Sequence, residues 1–173
     1  MELEQSLLLE RSKAMAMRIV AYVGDDESLF DELLAIMLGN DARLAQLAAW
    51  PAADAARAHP QLLRRHWPRL MHALEQQETH NSVRRSILRM MEVQEIPEKY
   101  AAPVLDQCIE YITSESAPIA VRAYAITIAA GISARYTELT KELLMILAEL
   151  SRVPQPPAIT VRIRRAFKML RSK

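Results

Sequence analysis

Between Ser116 and Leu150 the chain reads Ala117-Pro118-Ile119-Ala120-Val121-Arg122-Ala123-Tyr124-Ala125-Ile126-Thr127-Ile128-Ala129-Ala130-Gly131-Ile132, followed after Tyr136 by a stripe of Leu139, Leu143, Ile146, Leu147 and Leu150. The first segment is apolar almost all round, which a helix enclosed by neighbours requires. The second keeps Glu138, Lys141, Glu142 and Glu149 on its other side, the pattern of a helix with one wet face. The Val121-Arg122 pair recurs as Val83-Arg84 and Val161-Arg162, 38 and 40 residues away, and an Ala-Arg version stands at Ala42-Arg43. A period near 40 with two helical patterns in each period points to a helical repeat array rather than a globule with a single central core.

Working outward, the same two-helix pattern is present on both sides. Val83, Ile87, Leu88 and Met91 mark one helix, and Val104, Leu105, Cys108, Ile109 and Ile112 mark its partner, with Pro97 and Pro103 near the partner's start. Upstream, Leu62, Leu63, Trp67, Leu70, Met71 and Leu74 form a helical region, with Pro68 marking the first turn of its main segment. The helix from Ala42 meets Trp50-Pro51, where proline removes a donor and restricts the residue before it, so a kink or break is expected. Ser28 with Asp31 predicts a capping box opening a helix that Gly39-Asn40-Asp41 ends. Residues 3–23, with Leu7, Leu8, Met15, Ile19 and Val23 in register, predict one long amphipathic helix. Downstream of Pro154-Gln155-Pro156-Pro157, Ile159, Ile163, Ala166, Phe167 and Leu170 predict a last helix.

Composition supports the all-helical reading. Half of the 173 residues are hydrophobic, yet only 5% are aromatic and three are glycine, a mixture rich in helix formers and poor in turn residues. The formal charge of +1 argues against a chain that wraps nucleic acid over its whole surface. One cysteine, Cys108, cannot form an internal disulfide, and its place in the Val104–Ile112 stripe predicts a small core residue rather than a nucleophile. The acidic start Met1-Glu2-Leu3-Glu4 lacks the charge of a signal peptide, and no apolar run approaches a membrane span, so a reducing, cytoplasmic location is expected.

Pro118-Ile119-Ala120-Val121-Arg122-Ala123-Tyr124-Ala125, followed by an amphipathic partner helix, resembles the HEAT repeat. The resemblance runs from about Asp41 to Leu170 and implies an all-α superhelix, a solenoid of about four helix pairs with a terminal capping helix. One domain spans 1–173, with approximate repeats 3–39, 41–77, 79–114 and 116–151 and a capping helix at 158–171. First helices would form the convex side and second helices the concave side. Of the loop aspartates that HEAT repeats carry before the Val-Arg helix, Asp41 is the one present.

Arg84, Arg122 and Arg162 fall in first helical turns, where the macrodipole disfavours a cation. With Arg43, they are expected to serve the repeat structure, each guanidinium reaching a carbonyl or carboxylate of the adjacent repeat. His59, His66, His72 and His80 are spaced by seven, six and eight residues, which does not make the i, i+4 pair of a helical metal site. Neither a phosphate loop nor a nucleophile elbow is present in the sequence, and no enzyme, metal or cofactor is implied. Acids cluster at Asp25, Asp26, Glu27, Asp31, Glu32 and Asp41, while the chain from Arg152 onward carries Arg162, Arg164, Arg165, Lys168, Arg171 and Lys173 without an acid.

These features predict a non-enzymatic scaffold that binds a protein partner through its second-helix face, with Arg64, Arg65, Arg69, Asp106, Gln107, Glu110, Lys141 and Glu142 as the exposed candidates. The alternative is nucleic-acid binding by Arg64, Arg65 and Arg69 or by the basic last helix. In its sharpest form that alternative is base excision, as in a bacterial alkylpurine glycosylase family built from HEAT-like repeats, with Trp67 beside the arginines.

Overall fold

A computed structural model describes residues 2–172. Among these residues the chain is all-α: α1 (Leu3–Leu9), α2 (Lys13–Val23), α3 (Glu27–Met37), α4 (Ala42–Ala58), α5 (Trp67–Glu75), α6 (Asn81–Met91), α7 (Glu98–Thr113), α8 (Ile119–Ser133), α9 (Thr137–Leu150) and α10 (Pro157–Arg171), with a 3-10 turn over Pro60–Leu63. The helices pack in successive pairs, as in a HEAT-like array, and they form two compact units that meet in sequence at Gln94 and Glu95. None is long and apolar enough to cross a membrane.

In the first unit, α2, α4 and α6 pack side by side, α3 lies on α4 and α5 on α6, while α1 covers parts of α2, α3 and α4. Leu3, Ile19, Phe30, Leu33, Leu34, Met37, Leu70, Ile87 and Leu88 are fully buried between these layers. The expected single helix over 3–23 is two helices. Glu10 and Ser12 are extended, and the Ser12 hydroxyl accepts from the Met15 N–H, so a cap opens α2 where apolar periodicity alone runs straight on. The cap of α3 is Asp26 rather than Ser28: one carboxylate oxygen accepts from the N–H groups of Ser28 and Leu29, and a charged acceptor at the positive end of the helix outcompetes the hydroxyl two residues on. Asp41 caps α4 in the same way, through Arg43 and Leu44.

No break occurs at Trp50-Pro51, because α4 continues through Pro51 to Ala58. Pro51 and the alanines around it, Ala48, Ala49, Ala52, Ala53, Ala55 and Ala56, are all buried between α2, α3 and α6. Packing on several sides thus offsets the one missing intrahelical bond, a cost of about 3 kcal/mol in an isolated helix.

In the second unit α8 is the centre, packed by α7, α9 and α10. Its buried residues point in every direction, from Val121 and Ile126 to Ala129 and Ile132. Val104, Cys108 and Ile112 face it from α7, Leu143 and Leu147 from α9, and Ile159, Ile163, Ala166 and Leu170 are buried on α10. Burial pushes the Cys108 thiol far up, so it stays protonated as a core residue.

Candidate functional site

The repeat arginines meet two kinds of partner. Arg84 donates from Nη2 to the carbonyls of Gln76 and Gln77, 2.8 Å each, at the end of α5. Arg122, only 9% exposed, donates from Nη2 to the Ile112 carbonyl (3.4 Å) in the last turn of α7. Each cation therefore lies at the carbonyl end of the helix before its own, where the macrodipole favours it. Their Nε atoms are buried without an acceptor among the described residues. Arg162 instead donates to the Thr127 hydroxyl (2.7 Å) on α8 and lies 5.5 Å from the Tyr124 ring centroid. The Arg43 side chain is exposed, and its backbone N–H is the group held by Asp41.

Of the second-helix candidates in the first unit, two are tied down. Arg65 donates to Glu27 (2.9 Å) and Arg69 to Asp31, both across 38 residues of sequence, so the turn before α5 and the first turn of α5 carry cations opposite the acids that open α3. Arg64 is exposed and makes no ion pair among the described residues. Trp67 is 3% exposed, so the arginines here do not surround an open aromatic face. His66 is buried beside them, edge-on to Phe30 with ring centroids 5.5 Å apart; burial, reinforced by Arg69, lowers its pKa against the opposing pull of Asp31.

The second unit holds the remaining candidates. Asp106 and Glu142 are exposed, Gln107 donates to Glu110 (2.9 Å), and Lys141 pairs with Glu138 (3.1 Å). At the start of α7, Glu98 accepts from the Tyr136 hydroxyl and from Arg135 (3.3 Å), and the hydrogen bond from Tyr136 raises the phenol pKa.

A groove of about 760 Å³ runs in the first unit between the α3–α4 turn and the α5–α6 turn. Met37, Leu38 and Ala73 give it an apolar floor, and Arg69, His72 and His80 stand on its walls. His80 also caps α6, its Nδ1 accepting from the Ser82 N–H at 3.1 Å. Among the described residues no three histidine, cysteine or acidic side chains come together as metal ligands.

Sequence reading alone did not single out Lys13, Arg11, Arg85 and Trp50, which line two smaller cavities on the other layer of the same unit. A signal was present: Lys13, Arg43 and Arg85 each fall in or just after the first turn of successive first helices, α2, α4 and α6. What the sequence could not show is that the break between α1 and α2 places Arg11 beside the same cavities.

A stack of paired α-helices whose equivalent side chains meet at about one repeat length defines an α-helical repeat protein. The model of the HEAT repeat domain matches residues 3–170, and the chain belongs to that family. No curated protein and no solved structure matches it.

Proposed function

We propose that this protein is a non-enzymatic HEAT-like scaffold that holds a protein partner on its second helices. HEAT repeats commonly mediate protein binding, and here the observation that carries the reading is the groove of about 760 Å³ beside α5. Its volume suits a few side chains of an inserted segment, and its apolar floor with a small number of polar walls is the usual make-up of a recognition site. His72 and His80 on its walls supply the polar rim, and Arg64, exposed and unpaired, lies just before α5 in the chain. In the second unit, taken by itself, Asp106 on α7 and Glu142 on α9 are the exposed second-helix charges.

The nucleic-acid reading loses its best cluster, since Arg65 and Arg69 are neutralised by Glu27 and Asp31 and Trp67 is buried. Affinity purification of the full-length chain from its host, with mass spectrometry, tests the proposal. A protein recovered by the native chain and lost with R64E/H72E supports it. Recovery of the same proteins by both, with unchanged melting temperature, removes the second-helix groove as the binding surface.

A further inference from the structure

A second surface lies on the first-helix layer of the first unit, away from the groove beside α5. Two adjoining cavities, of about 370 and 450 Å³, share Leu7, Arg11, Gln46 and Leu47. One opens between α1 and the start of α4; the other extends between α2, the middle of α4 and the first turn of α6. Leu7 is buried at the base, Leu47 and Trp50 are half-buried along it, and Leu8 of α1 stands 46% exposed at its edge.

The rim is cationic. Arg11, Lys13, Arg43 and Arg85 are all exposed, and among the described residues none of their side chains has an ion pair or hydrogen bond. Glu10 is the one acid on the rim, also exposed. Four other arginines of this unit are matched, Arg57 with Glu92, Arg65 with Glu27, Arg69 with Asp31 and Arg89 with Asp54, whereas here four cations stand unmatched around one pair of cavities. Unmatched like charges around a cleft with apolar walls repel one another and focus a positive potential into it. Arginine and tryptophan are also the side chains that most often dominate binding energy, and here they flank an apolar floor.

We propose that the α1–α2–α4–α6 groove docks an acidic amphipathic helix from a partner protein. Charge complementarity sets the acidic face, and Leu47, Trp50, Leu7 and the exposed Leu8 of α1 set the apolar one. Carboxylates one helical turn apart on the ligand meet Arg11 and Lys13 on one side and Arg43 and Arg85 on the other, while one or two apolar side chains enter the cavities. A duplex offers phosphates to the rim but nothing apolar to the floor, and a flat anionic bilayer cannot reach into two concave cavities. The site does not depend on the groove beside α5.

The test uses the full-length protein and a fluorescein-labelled helical peptide of about 14 residues, four turns, with glutamates on one face and leucines at i, i+3, i+4 and i+7 on the other. Anisotropy is expected to show binding in the micromolar range. It should weaken about tenfold or more for R11E/R43E, for a lysine-for-glutamate peptide and for a scrambled peptide, and stay unchanged for R64E. Circular dichroism on R11E/R43E should give the native melting temperature, since both side chains are exposed and unpaired. Absence of binding up to about a millimolar, or equal binding to R11E/R43E, overturns the proposal. So does tighter binding to a 20-base-pair duplex, with affinity falling steeply in salt, or to anionic phosphatidylserine vesicles.

Discussion

Arg122 sits in the first turn of α8, yet its guanidinium reaches back to the Ile112 carbonyl, so the unfavourable end of its own helix is offset by the favourable end of α7. Removing it as Arg122→Ala leaves that carbonyl and a buried void without their partner. A loss of about 1–3 kcal/mol is expected, or several degrees in a chain of this length. Arg43→Ala, at the equivalent position but exposed, should change stability by no more than about 0.5 kcal/mol. Thermal melts of the two variants side by side decide it, and equal melts would remove the structural role. The same scale shows what sequence could and could not reveal. That these arginines need a fixed partner follows from position in the helix; that Arg162 finds a hydroxyl and a ring, and Arg43 solvent, depends on neighbours no local pattern specifies. His66 is the other telling residue. Burial against Phe30, with Arg69 and Arg65 outweighing Asp31 and Glu27, keeps its folded pKa below the ordinary value near 6.5, whereas the unfolded chain titrates at that value. Above about pH 6.5 both states are neutral; as pH falls from there towards the folded pKa, the unfolded state takes up the proton first and stability is lost. His66→Gln, which does not titrate, should therefore show a shallower fall in melting temperature between about pH 7.5 and 5. Parallel curves for the two proteins would locate the acid sensitivity elsewhere.

At the scale of elements, α4 is the helix that local rules describe least well. Its proline predicts an interruption and its many alanines predict little more than helix propensity, yet it runs unbroken because α2, α3 and α6 close on it. Small side chains are what allow that approach. Ala52→Leu, at a fully buried position, should overpack the unit and cost about 1–3 kcal/mol, whereas Ala58→Leu at the exposed end of the same helix should leave the melting temperature nearly unchanged. A tolerated Ala52→Leu would mean that the layer has slack. The stripes of α6, α7 and α10 were legible because apolar spacing is a property of each helix alone. The split between α1 and α2 was not, since Leu7, Met15 and Ile19 keep helical register across it, and the clue was a single serine. The ion pairs of Arg65 with Glu27 and Arg69 with Asp31 were half legible: both pairs are 38 apart, one repeat length, but only stacking makes that distance a contact.

At the scale of the whole molecule, the sequence period reappears as a spatial rule inside each unit. Gln94 donates to the Ala56 carbonyl across 38 residues, Arg135 to Glu98 and to the Ile96 carbonyl across 37 and 39, and Arg162 to Thr127 across 35. Stability in such a protein is close to a sum over neighbouring repeats, so uncovering one helix should propagate to the helix beneath it. In the second unit, α10 makes that testable. Ile159, Ile163, Ala166 and Leu170 are buried, α10 packs on α8 and α9, and each large side chain contributes roughly 1.5–3 kcal/mol as an upper bound. Together they approach the total of about 5–15 kcal/mol typical of a domain. A chain stopped after Val153 leaves one side of α8 wet, although a helix apolar all round cannot tolerate that, and it should aggregate or lose its cooperative melt. The outer face of α10 is a separate matter: Arg164, Arg165 and Lys168 are exposed and have no ion pair among the described residues, so replacing all three by glutamine should leave the melt within a few degrees. A soluble truncated chain that melts with the native midpoint would show that α10 is dispensable to the fold and that its cations, not its apolar stripe, are the reason it is there.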